Sequence, residues 1–557
     1  AIRNYPKFMA YAIDPHKYFN DHFTYVRMGG AETTDTSLNR NQMDQQMYIL
    51  PRILEQAELQ DEAGLLRHIM ATYDVPLWPD YEHPYIWRFL GAHNSIASVS
   101  PEALALPKSL WAKNLGVFFA RTGFSSNADG VFSVTDGHFR FGGHQGADDW
   151  PGFTLAKFGT LVNTRCVAHR GYGNLNEYPG GRPHNIVYFA GDHQLAHSSM
   201  HTPSALQDAV TGKGDYDHGG IEQISRKDGH FYHVRVNRSR QFQSEVKHTR
   251  EFVWLPGSEP ENDSDFLVIY DRTSAPSDPE WVYHVPWKPT ALNYSSKQDI
   301  STGSGESDRI GNGYTGSNII IKELNSLGGE RDNDGATQSY TGGAGAHGVA
   351  FSKTLLPAEA RVEVTRVATF DKQVIKRQHH LAIKSHRWQV SVKPTQATTD
   401  QRFLHVFQTA DADKKQHMVN ANLAQAGSAM QGVFIERETS HRPNYMVLFK
   451  REEGVNNDVV TYSVSGQGNT KHVITGLRPN TLYQVEDIGS SGTSTSSHST
   501  TRDMRIWDYK GVAGNTVTGT LYFETSLQGN HTFTITPSGE LDLVPPAIPS
   551  NFEIISY

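Results

Sequence analysis

Val131-Phe132-Ser133-Val134-Thr135-Asp136-Gly137-His138-Phe139-Arg140-Phe141 marks a change of period along this chain. Apolar residues recur at every second position on both sides of Asp136-Gly137, a dipeptide that fits a two-residue hairpin turn, so two antiparallel strands are expected. Upstream the spacing is helical. Met43, Met47, Leu50 and Leu54 repeat at i, i+4, i+7 and i+11, Leu65, Leu66, Ile69 and Met70 mark a second helix, and a third is read around Trp111 to Phe119. Pro51 would kink or restart the first helix, and the methionine stripe is read as core packing. Downstream, strand-like segments follow at 153–162, 186–190, 231–236, 252–255 and 266–271, then at 361–370, 381–392, 403–407, 433–435 and 446–449. They span about 300 residues and read as two packed antiparallel layers. Between them, residues 296–348 are rich in Gly, Ser, Asn and Asp and read as an exposed loop able to cover a substrate.

Beyond residue 455 the pattern is a small all-β unit, with strand-like runs at 459–464, 473–485, 518–523 and 531–535. Gly476-Leu-Arg-Pro-Asn-Thr-Leu-Tyr483 resembles the stretch before the tyrosine corner of fibronectin type III-like sandwiches. The Ser/Thr-rich residues 490–501 read as a solvated loop.

A chain of 557 residues holds about three or four domains. With 37% hydrophobic and 20% charged residues it has the composition of a globular protein. No run of about 18 apolar residues occurs, which sets a membrane span aside, and a formal charge of -8 without a basic block argues against nucleic acid as a partner. Cys166 is the single cysteine, so no internal disulfide forms. The start at Ala1-Ile2-Arg3-Asn4 and the Pro-rich 544–557 linker, ending in a strand-like Phe552-Glu-Ile-Ile555, are read as the cut ends of a longer precursor, secreted or periplasmic and bacterial.

Chemistry-bearing residues are densest at 138–201. That stretch holds His138, His144, His169, His184, His193, His197 and His201, seven of the 27 histidines. Hydrogen-bonded or exposed side chains are the ordinary reading of each. Spacing singles out His144, with Asp148 and Asp149 after it at a turn between strands, and His184 on the next strand. These groups can converge at one sheet edge.

The order of a helical segment, Arg121-Thr-Gly-Phe124, Ala128-Asp-Gly-Val-Phe-Ser-Val-Thr-Asp-Gly137, His144-Gln with Phe153 and Gly159, then His184-Asn185 resembles the heparinase II/III-like polysaccharide lyases. Arg250-Glu-Phe-Val-Trp-Leu255, Phe266-Leu-Val-Ile-Tyr-Asp-Arg272 and Gly519-Thr-Leu-Tyr-Phe523 extend the resemblance. It implies an α+β multidomain chain: an incomplete (α/α) toroid portion at 1–125, a large antiparallel multi-layer β-sandwich domain at 126–452, a small fibronectin III-like module at 453–543 and a linker at 544–557. It implies β-elimination on an acidic, uronic acid-containing polysaccharide such as alginate, a glycosaminoglycan or ulvan. His144 then matches the β-domain histidine that faces the cleft, as base or charge neutraliser. Tyr5 and Tyr11 are the candidate acids, with helix packing as their alternative. Arg40, Asn41, His83 and Tyr85 are the candidate sugar contacts, with helix capping or solvent exposure as theirs. Asp148 and His184 are candidate ligands for one divalent ion, Zn or Ca. The chain departs from the family here. The family's second histidine position is occupied by Gly146, and the family's metal-binding Asp falls near Asn163 or Thr164.

Two other readings compete: a glycoside hydrolase using paired carboxylates, and a non-catalytic carbohydrate-binding protein.

Overall fold

The computed structural model describes residues 2–18, 22–25, 50–72, 96–112, 116–124, 126–135, 152–162, 185–189, 220–239, 246–260, 262–285, 289–292, 296–301, 309–315, 318–322, 327–331, 337–340, 347–367, 388–396, 398–489, 492–500, 503–504 and 518–540. The chain divides into two compact units, residues 1–222 with 227–418 and residues 223–226 with 419–557.

Helix in the described part of the first unit is confined to α1 (Tyr5–Ala12), α2 (residues 50–56) and α3 (Gln60–Thr72), with a single 3-10 turn before α1. The α3 segment follows its apolar spacing, with Leu65, Leu66 and Ile69 fully buried. Leu54 of α2 joins the same cluster, while Met43 and Met47 lie outside the described residues. Two features end the helical pattern early. Ile13 is already extended after α1 and Pro15 denies a helix its backbone donor. The run expected as a third helix is instead a strand pair, β1 (Ser109–Ala112) and β2 (Val117–Arg121). Val117 to Arg121 is buried on both faces, so it offers no periodicity to separate strand from helix.

These strands open a five-stranded antiparallel meander with β3 (Val131–Thr135), β4 (Gly152–Ala156) and β5 (Thr160–Val162). The 153–162 segment therefore breaks into two strands, at Phe158 and Gly159, both with positive φ. Arg121 ties this sheet to α1. Its buried guanidinium donates to the carbonyls of Ala10 (2.9 Å) and Ile13 (2.7 Å), where a helix leaves acceptors unpaired and its dipole favours a cation. Phe124, three residues on, packs edge-on against Tyr11 at 5.2 Å.

The central strands of the first unit are β6 (Phe231–Asn237), β7 (Lys247–Leu255), β8 (Asp265–Ser274), β9 (Pro279–Val285), β10 (Gly348–Leu356) and β11 (Asp400–Asp411). A large antiparallel sheet runs β10-β11-β8-β7-β6. Strand β9 belongs to a second, six-stranded sheet, between Trp388–Pro394 and Val187–Phe189. The core lies where these sheets meet the meander. Phe132 stacks on Trp254 at 6.1 Å, Phe153 meets Phe252 at 5.8 Å and Phe407 at 5.8 Å, and Trp281 lies 6.1 Å from Phe407. The stretch read as a loop at 296–348 instead supplies strands to both sheets. Ser296–Ser301 and Arg309–Thr315 pair in the six-stranded sheet and Asn318–Lys322 pairs with β10. Glycine and serine masked a strand pattern that the β-branched Ile319-Ile320-Ile321 carries.

Most described residues of the second unit form a seven-stranded sheet: β12 (Ala421–Ala426), β13 (Met430–Ile435), β14 (Asn444–Lys450), β15 (Val460–Leu477), β16 (Thr481–Gly489), β17 (Gly492–Ser499) and β18 (Gly519–Glu540), ordered β12-β13-β14-β15-β18-β16-β17. Strands β14 and β15 run parallel. Tyr483 is buried and its hydroxyl accepts the Arg478 N–H at 2.9 Å, the local bond of a tyrosine corner. The sheet around it is not a fibronectin sandwich. The Ser/Thr-rich stretch read as a loop forms the exposed edge strand β17. The expected order of an (α/α) toroid, a large β-sandwich and a small sandwich is thus corrected: the described residues are nearly all β, in four sheets of five or more strands.

Close backbone approach decides one position in this unit. A Cβ at Gly432 on β13 would stand 1.8 Å from the Val447 carbonyl oxygen of β14. Gly432→Ala is expected to cost about 1–3 kcal/mol or more, read as a lower urea midpoint of this unit. Gly539→Ala, with open space around its Cβ, should leave the midpoint unchanged.

Candidate functional site

Strands β7 and β8 bury charge on both of their faces. His248, Arg250 and Asp271 are all fully buried, and Arg250 stands opposite Asp271 in the β7–β8 register. Asp271 is the acceptor for three donors: Arg250 Nε at 2.6 Å, His248 Nε2 at 2.7 Å and Trp281 Nε1 at 2.9 Å. Burial alone would raise its pKa, but the Arg250 guanidinium and the His248 bond outweigh burial and hold the carboxyl far below the usual range. Burial pushes His248 down to about 4, against the pull of Asp271. His248 is neutral at pH 7, its one N–H sits on Nε2, and Nδ1 has no hydrogen-bond partner among the described residues. His405 stacks on Trp281 at 3.8 Å, bonds Thr354 at 3.1 Å through Nδ1, and is pushed by burial down to about 3. On the other face of the same strands, Glu251 binds His233 (2.7 Å) and Arg272 (2.7 Å) and is held well below the carboxylate range. Burial opposes that shift, and Arg272, His233 and Arg235 overcome it.

Asn185 connects this network to the other sheets. Its Nδ2 donates to the Phe153 carbonyl of β4 (2.8 Å), its Oδ1 accepts the His284 N–H of β9 (2.8 Å), and its own carbonyl accepts from Arg250 of β7 (2.7 Å). One buried residue thus fastens three sheets. The residues of the clamp also adjoin, in sequence, the two segments that carry the candidate chemistry. His184 immediately precedes Asn185, and Asp148 lies five residues before Phe153. The ends of the connection from Thr135 to Gly152 are paired in the β3–β4 register. Every member of the network is buried, so its work is to hold the three sheets together rather than to touch a ligand.

His144, Arg40, Asn41, His83, Tyr85, Asp148 and His184 lie outside the described residues. Tyr11 is buried among Met9, Leu65 and Phe119, and its hydroxyl donates to the Pro107 carbonyl. Tyr5 packs, partly buried, against the same cluster. In the sequence Asn185, Arg250 and Asp271 stand out only as parts of motifs, and His248, Trp281, His284 and His405 do not stand out. The signal is in the sequence: charged or imidazole side chains inside strands that are otherwise rich in apolar residues are paired or costly.

Buried neutral histidines make stability depend on pH. The folded pKa values of His248 and His405, about 4 and about 3, lie below the ordinary value near 6.5. Unfolded chains therefore bind more protons in that window, and stability is complete above about pH 6.5 and lost as pH falls towards the folded values. The urea midpoint of the first unit should fall from pH 7 to pH 4, and His405→Gln should make that fall shallower. A midpoint flat over the window would refute the neutral, buried assignment.

The sequence matches no protein-family model and no curated protein. Heparinase III structures are among its structural neighbours. One, with methylated lysines, is 11% identical with a TM-score of 0.40 over 77% of this chain and 49% of that one. Another crystal structure of heparinase III is 10% identical with a TM-score of 0.42 over 89% of this chain and 54% of that one. The chain spans about half the length of each.

Proposed function

We propose that this chain carries the β-sheet part of a polysaccharide lyase that cleaves an acidic, uronic acid-containing glycan by β-elimination. The Asn185 clamp is the observation that most supports the reading, because it ties the residue after His184 to the strand that follows His144 and Asp148. In this reading the uronate carboxylate is neutralised, a base takes the C5 proton, and the electron pair forms the C4–C5 double bond. The C4–oxygen bond breaks and an acid protonates the leaving oxygen. His144 serves as base or charge neutraliser. Tyr5 and Tyr11 are the candidates for the acid role. Arg40, Asn41, His83 and Tyr85 contact the sugar, and a zinc or calcium ion on Asp148 and His184 belongs to the same proposal. A secreted or periplasmic location fits an extracellular polymer.

Alginate, glycosaminoglycans and ulvan, each incubated with the protein, test the reading. The expected result is growing ultraviolet absorbance from the unsaturated product on at least one polymer. New reducing ends without absorbance would replace the lyase by a hydrolase, and binding without cleavage would leave a carbohydrate-binding protein.

A further inference from the structure

At the corner where the chain enters β10, three potential metal ligands from two distant segments converge. His347 precedes β10, while Asp411 and Asp413 lie at and just beyond the end of β11. One ligand atom from each lies within 4.8 Å of the others. The imidazole is held in place. Its ring packs on Phe158 at 4.5 Å, its backbone N–H donates to the Phe158 carbonyl at 2.9 Å, and its carbonyl accepts from Ala412 at 2.8 Å. Asp411 is 8% exposed, and its Oδ1 accepts the Asp413 N–H at 2.8 Å. That bond leaves Oδ2 towards His347 Nε2, 3.6 Å away. Asp413 is exposed and can turn its carboxylate inward. The Lys414 ammonium, 3.8 Å from Asp411, is the neighbouring cation, and it also bonds Asn262 at 3.1 Å.

We propose that His347, Asp411 and Asp413 bind a divalent ion that accepts both nitrogen and oxygen, Zn²⁺ or Mn²⁺. Metal–ligand bonds of about 2.0–2.2 Å place tetrahedral ligands about 3.3–3.6 Å apart, so the His347–Asp411 pair is already at the required spacing and only Asp413 must close in. Two carboxylates and one imidazole, with water completing the shell, suit these ions better than Ca²⁺ or Mg²⁺, which prefer all-oxygen sites. The ion would be structural. It would join the start of β10, the end of β11 and the β4–β5 turn at Phe158, independently of the Asp148 and His184 ligands proposed above.

Chelator-treated protein titrated with ZnCl₂, MnCl₂, CaCl₂ and MgCl₂ and followed by thermal melting and calorimetry tests the site. Zn²⁺ or Mn²⁺ in excess should raise the melting temperature by roughly 2–5 °C. Asp413→Asn, at an exposed position, should fold normally and weaken that binding at least about tenfold, and His347→Ala should abolish it. His184→Ala should leave the effect in place. No response to either ion overturns the proposal. So does a response that survives both Asp413→Asn and His347→Ala, which would assign the ion to other histidines.

Discussion

His144→Ala is expected to lower turnover of the susceptible polysaccharide by about 10²- to 10⁴-fold, the range a general base or charge-stabilising side chain contributes. The expectation follows from position. His144 lies in the connection whose ends are paired at Thr135 and Gly152, one residue before Phe153, and Phe153 is the residue that Asn185 clamps. Circular dichroism of the variant should match the parent, because the burial that holds the sheets together is supplied by Phe132, Phe153, Phe252, Trp254 and Trp281. Initial rates at saturating substrate measure the effect. Parent-like activity would remove His144 from the mechanism.

Asp271→Asn is expected to be the most damaging substitution for stability. The carboxylate answers a guanidinium, an imidazole and an indole, all fully buried, and the substitution removes the charge that faces Arg250 at 2.6 Å. Breaking a buried pair in this way costs about 3–5 kcal/mol. The cost should show as a large drop in the urea midpoint of the first unit. Asp271 also adds an acid-side dependence. Its folded pKa is depressed, so its contribution is in place above the ordinary carboxylate range near pH 4 and is lost as pH falls below it. Asp271→Asn should flatten stability below pH 4 relative to the parent. A parent-like midpoint in the variant would show that the three donors find other acceptors.

The sequence was informative where apolar spacing and burial agree. Leu65, Leu66 and Ile69 mark α3 by helical spacing on one buried face, and Val131 to Val134 mark β3 by the Asp136-Gly137 turn signal that follows them. It misled where both faces are buried. Val117-Phe118-Phe119-Ala120 reads equally as helix or strand, and taking it as helix lengthened the supposed toroid. Composition misled at 296–348 and at 492–499, where Gly and Ser, residues of low strand propensity or of the turn class, conceal strands that pair with a neighbouring strand along the chain. Of the candidate site, the motif His184-Asn185 was legible, but the work of Asn185 was not. Its partners Phe153, Arg250 and His284 lie 32, 65 and 99 residues away, beyond any local pattern.

Digestion of an acidic polysaccharide in water enriched in heavy oxygen, followed by mass spectrometry of the products, tests elimination most directly. Elimination consumes no water, so the account predicts unlabelled products, one of each pair carrying a double bond and lacking the mass of a water relative to its hydrolytic counterpart. Heavy oxygen at a new chain end, with no unsaturated sugar, would contradict it.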